Sequence, residues 1–160
     1  MAALYQSGLQ AQKGGRYQEA MRLFEAALKG DPGRESELYY QIEDEVESTR
    51  SKLYEQVRPM VSEATSLAEA GQLGEARARL QEAISRAPDY QPAVQRLKQV
   101  DTELNKQGNR LLANAQSREA SGASAEAESL YKQVMALIPD RNHPLYQKAA
   151  QGLEQLKQKK

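Results

Sequence analysis

The sequence contains no cysteine and no tryptophan, one phenylalanine and one histidine. Without cysteine there is no disulfide framework and no thiol chemistry, and the compartment stays open. A lone histidine cannot nucleate a zinc site of the usual kind. Any Ser-His-acid triad would have to run through His143, which precedes Pro144 at the start of a helical segment, the place of a surface or cap residue. Paired carboxylates are abundant but sit on segments rich in charge, where solvation is the default. The chain therefore reads as a non-enzyme, with no metal and no cofactor.

Net charge is also missing, since 22 basic residues cancel 22 acidic ones. No global field argues for nucleic acid or an anionic membrane. No apolar run approaches the ~18 to 20 residues that cross a bilayer, and the opening residues lack a secretory pattern. Met1-Ala2 reads as an engineered start, with any targeting segment lying outside this chain. Gly71-Gln72-Leu73-Gly74 has the spacing of a nucleic-acid-clamping GXXG loop but lacks the basic and strand context. Gly14-Gly15-Arg16 lacks the later glycine-lysine pair of a phosphate loop. Neither nucleic acid binding nor direct membrane insertion is expected.

What is present is helical. Ala, Leu, Gln, Glu, Lys and Arg dominate, Ile and Val are thin, and apolar residues recur at three and four. A spaced pattern then appears three times. Gly15, Tyr17, Ala20, Phe24, Ala27 and Pro32 return as Gly71, Leu73, Ala76, Leu80, Ala83 and Pro88, and again as Gly122, Ser124, Ala127, Tyr131, Val134 and Pro139, with identical gaps. Seven residues before each glycine stands a small residue: Gly8, Ala64 or Ala115. Each copy reads as a helical hairpin. The glycine turns the chain, the alanines let two helices approach, the large residues fill the space beside them, and the proline stops the second helix.

This pattern resembles the tetratricopeptide repeat, a helix–turn–helix unit of ~34 residues that stacks into a solenoid. The first copy, Gly8 to Pro32, matches most closely; the second has Leu73 and Leu80 for the usual aromatics, and the third has Ser124 where a large residue is normal. The resemblance implies an all-α hairpin solenoid: one domain over 1–160, with repeats at about 2–32, 58–88 and 109–139 and a capping helix at 143–158.

The copies depart from the family in spacing. They begin 56 and then 51 residues apart, so about 22 and 17 residues are inserted. One apolar stripe runs through the first insert from Leu38 to Leu67, and another through the second from Val94 to Ala115. Unbroken stripes predict two long, kinked helices over about 34–70 and 91–121, in an elongated array. Pro59 and Gly108 lie inside them; if either breaks its helix, each repeat becomes a three-helix unit.

By resemblance, the stacked first helices line a concave surface that receives a peptide or a partner helix. The lining positions are Tyr5, Leu9, Lys13, Val61, Thr65, Leu112 and Gln116. The subclass that clamps a C-terminal carboxylate needs lysine and asparagine where this chain has Tyr5 and Leu9, and is not expected. A 17-residue insert is about 4.7 turns, so a rotated stack would instead bury these residues as core.

Charge supplies a second surface. Residues 35–47 carry six acids and no base, while 141–160 carry five bases against Glu154; these are solvated faces, or a partner site, or a head-to-tail self-contact of weak affinity. Tyr5, Tyr39, Tyr40, Tyr54, Tyr90 and Tyr146 are expected half-buried between helices, and any facing outward near the acidic run would be interface anchors. The chain thus reads as a protein–protein interaction scaffold with a protein or peptide partner. The alternative is a structural spacer or self-assembling rod. The sequence has a bacterial style, which suggests a cytoplasmic or periplasmic domain of a larger envelope or assembly protein.

Overall fold

The computed structural model describes residues 1–31 and 33–158. It is built from α1 (Ala2–Lys13), α2 (Tyr17–Leu28), α3 (Glu37–Glu69), α4 (Leu73–Arg86), α5 (Gln91–Ala120), α6 (Ser124–Leu137) and α7 (Pro144–Gln158), with no strand among the described residues. Each helix packs on the next one along the chain, and α1 on α3, α3 on α5 and α5 on α7. That is the contact pattern of a linear hairpin array. The accessible surface, 9739 Å², exceeds the roughly 8,000 Å² of a compact monomer of this mass.

The three hairpin turns are built alike. Gly15, Gly71 and Gly122 sit at φ 73, 80 and 80°, a left-handed backbone that glycine takes at no steric cost. The residue after each glycine donates its N–H five residues back, Arg16 to Ala11, Gln72 to Leu67 and Ala123 to Arg118, all at 2.9 Å. This closes three spent helix ends in the same way. Ala20, Ala76 and Ala127 are fully buried, as are Phe24 and Leu80, with Tyr131 only 2% exposed. The small residue opposite the knob is required: a Cβ on Gly8 would lie 2.4 Å from the Phe24 ring. α4 and α6 end two residues before Pro88 and Pro139. The corresponding stop at Pro32 lies outside the described residues.

The long helices do not break. α3 runs for 33 residues through Pro59, and α5 for 30 through Gly108. Pro59 is exposed, so its ring costs one backbone hydrogen bond but displaces no core side chain. Gly108 is a packing residue and not a breaker: a Cβ there would meet Leu145 Cδ1 at 2.8 Å. α3 begins three residues later than the stripe suggests. Arg34 has φ 56°, and Ser36 caps the helix, its Oγ accepting from Tyr39 N at 3.2 Å. Asp31 in turn accepts from Ser36 N at 3.0 Å, and the Ser36 hydroxyl holds its carboxyl below the usual range.

The buried stripe of α3 reads Tyr39, Ile42, Val46, Thr49, Leu53, Val57, Met60 and Ala64, spaced at three and four. Ile42 and Val46 join the first hairpin in one core with Phe24; from Leu53 onward the stripe belongs to a larger core that reaches Leu156. Between them sits Thr49, fully buried, whose Oγ1 receives Gln12 Nε2 at 2.8 Å.

Two variants check this packing. Ala76→Leu overpacks the α3–α4 approach and is expected to cost ~1–3 kcal/mol, whereas Ala78→Leu, on the exposed side, should stay within ~0.5 kcal/mol; equal denaturation midpoints would mean a wrong register. Pro59→Ala restores a donor to the Glu55 carbonyl without touching the core and is expected to raise stability by up to about 3 kcal/mol. An unchanged midpoint would mean that α3 gives way at this turn in solution.

Candidate functional site

The first helix of each hairpin is α1, the second half of α3, and the second half of α5, with α7 completing the row. Of the positions assigned to the lining, Lys13 and Gln116 are exposed, and Tyr5, Leu9, Val61 and Thr65 are half-buried. Tyr5 rests on Phe24, ring centroids 6.0 Å apart, and Leu9 packs against the same small core. The Thr65 hydroxyl donates to Val61 O at 2.9 Å, so it is turned back onto its own helix.

These positions do not form one strip. α1 meets α3 near Glu45 and Thr49, both of which accept from Gln12 Nε2, at 2.7 and 2.8 Å. Val61 lies twelve residues further along α3 than Thr49, about 18 Å at ~1.5 Å per residue. The first insert therefore separates the α1 patch from the α3 patch.

Leu112 is a correction to the exposed lining. It is 6% exposed and part of the larger core. Gly108, one turn earlier on α5, lies against Leu145 of α7, and Leu112 faces the same helix, across from Lys148, Gln151 and Gly152. It nevertheless forms the floor of a cleft between α5 and α7. That cleft has a volume of about 630 Å³ and is walled by Asn109, Gln116, Lys148, Gln151 and Gln155, with the Tyr131 ring beside Leu112. Of the positions assigned from the sequence, Leu112 and Gln116 line this cleft; the α7 wall was not assigned, because α7 lies beyond the third copy of the pattern.

Residues 110–145, the second half of α5 through the start of α7, match the tetratricopeptide repeat family model. The chain is tetratricopeptide-like. The matched hairpin is the third copy, the one with Ser124 in place of a large residue. A search of curated proteins finds no match to the chain. Tetratricopeptide hairpins are in general non-catalytic modules of protein interaction, and the matched one carries the α5 side of the cleft. No helix among the described residues is long and apolar enough to cross a membrane.

The two charged regions are mostly solvated. Glu45 is half-buried and holds Gln12, and Glu47 pairs with Arg50 at 2.8 Å, while Glu35, Glu37, Glu43 and Asp44 are exposed. Tyr40, 58% exposed, stands among them edge-on to the buried Tyr39. Tyr54 and Tyr90 instead pack on each other, the rings tilted at 43° with centroids 4.9 Å apart. On α7 Lys148 is exposed and Lys157 pairs with Glu154 at 3.6 Å; Lys159 and Lys160 lie outside the described residues. His143 caps α7, its Nδ1 accepting from Leu145 N at 3.2 Å.

Tyr131 ties the cleft floor to the hairpin. Its hydroxyl donates to Glu119 at 2.8 Å, and burial first, then this carboxylate, push its pKa up to about 12. The raised value means that the fold favours the protonated phenol. Its contribution is whole below the ordinary value near 10 and is lost as pH rises to about 12. Stability of the wild type should fall more steeply across that window than that of Tyr131→Phe, measured by urea denaturation at several pH values. Parallel slopes would mean that Tyr131 ionises freely.

Proposed function

We propose that the chain is a protein-interaction scaffold that takes an extended peptide segment or a partner helix along its row of first helices, seated principally in the cleft between α5 and α7. The observation that carries this reading is the cleft itself, where Leu112 and Tyr131 lie at the base of a mostly polar lining of amide side chains, Glu119 and Lys148. Amides donate and accept at once, so such a lining suits a main chain, while the floor takes an apolar side chain. Val61 and the Tyr5–Leu9 patch extend the row as separate, half-buried contacts. The assignment of these residues to a partner rests on the tetratricopeptide likeness together with the cleft. A partner protein fits the row; the scaffold reading also accommodates a chain that forms one domain of a larger bacterial protein.

The test uses the rims, since Leu112→Glu would place a charge in the core and unfold the hairpin. Gln116→Glu with Gln151→Glu leaves the floor intact and should keep the melting temperature within about 2 °C, a surface change of a few tenths of a kcal/mol. Proteins retained by the immobilised wild type and lost with this folded double variant are expected. Equal retention of every captured protein by both would place binding outside the cleft.

A further inference from the structure

The first two hairpins place equivalent residues 56 apart, and the second and third place them 51 apart. In the first, Gln18 Nε2 reaches across to the end of α4 and donates to Ser85 O at 2.8 Å and Arg86 O at 2.9 Å. Those carbonyls belong to the last turn of a helix, where no backbone donor follows, so an internal side chain caps the next hairpin. In the second hairpin the residue equivalent to Gln18 is Gly74, and the equivalents of Ser85 and Arg86 are Ala136 and Leu137. The backbone register is kept: a Cβ on Gly74 would stand 3.6 Å from Leu137 O. Only the side chain is gone. Among the described residues no hydrogen bond is made to the Leu137 carbonyl.

A cleft of about 300 Å³ lies beside Gly74, with Leu104 and Ile138 as apolar walls and Asp101, Asn105 and Asp140 as polar ones; its counterpart in the first hairpin, about 370 Å³, has the Gln18 amide in its wall. Arg77 in the same wall is already turned onto Asp101, Nε to Oδ1 at 2.7 Å. One arginine against two aspartates leaves the lining net negative while the His143 imidazole is neutral, and the helix end adds the partial negative charge of its carbonyls. A hydrogen-bond donor with a positive charge and a slim apolar stem matches all three features.

We propose that this cleft binds a lysine side chain from a partner segment. Its ammonium takes the place of the Gln18 amide at the α6 carbonyl end and faces Asp140, with its methylenes on Leu104 and Ile138. The cleft shares no residue with the face of the proposed function and stands or falls separately from it.

The probe is the blocked peptide acetyl-Gly-Lys-Gly-amide, titrated into the isotope-labelled full chain while backbone amide shifts are followed. Saturable shifts at Gly74, Asp101 and Leu137 are expected, at least about fivefold weaker for the norleucine analogue, which keeps the stem and loses the charge. Gly74→Gln, which installs the amide found in the first hairpin, should abolish the shifts and raise the melting temperature. Asp140→Asn, on an exposed position that needs no repacking, should weaken them about threefold or more. Absence of saturable shifts, equal binding of the norleucine peptide, or unchanged binding by folded Gly74→Gln would overturn the proposal. Butylammonium binding as tightly as the peptide would overturn its partner-segment source.

Discussion

Everything in this array depends on α3 and α5 being shared. Each is one helix, yet its first half packs against the hairpin before it and its second half forms the first arm of the hairpin after it. A single helix cannot rotate its two ends independently, so the length between them sets the angular relation of successive hairpins. The buried positions of α3, at three and four throughout, show the solution: one stripe serves both neighbours. Pro59 is tolerated because it faces solvent opposite that stripe, and Gly108 persists in α5 because Leu145 occupies the space of its missing side chain.

The parts of this design that repeat were legible in the sequence. Gly15, Gly71 and Gly122, the alanine beside each knob and the unbroken stripes gave the hairpins and the long helices within a few residues. The boundary at Glu37 was not legible, since it depends on a left-handed Arg34 and on Asp31 bonding to Ser36 across a loop. Nor was the state of the lining. Tyr5, Val61 and Leu112 occupy the same place in their own copies, but only Leu112 has α7 packed beside it. Leu112 became core while Val61 stayed half-exposed. Periodicity reports which face of a helix is apolar; it does not report which neighbour arrives there.

Glutamine does much of the structural joining, and it is the residue that periodicity says least about. Gln12 links α1 to α3 through Glu45 and Thr49, Gln18 closes the end of α4, and Gln116, Gln151 and Gln155 rim the cleft beside α7. An uncharged amide holds two elements together without the solvation cost of a buried ion, because it both gives and takes hydrogen bonds.

Thr49 has a consequence for cooperativity. As a fully buried hydroxyl held, among the described residues, by Gln12, it interrupts the apolar stripe where the smaller core ends and the larger begins. Peeling α1 and α2 away from α3 uncovers Ile42 and Val46, while the larger core loses Tyr17 at its edge and the Gln18 bonds to Ser85 and Arg86. The N-terminal hairpin is therefore a subglobal opening unit, with a lower free energy of exchange for its amides than those of α4 to α6. The long helix that joins it to the rest would remain folded on one side and become, for the lifetime of the opening, an apolar face without a cover.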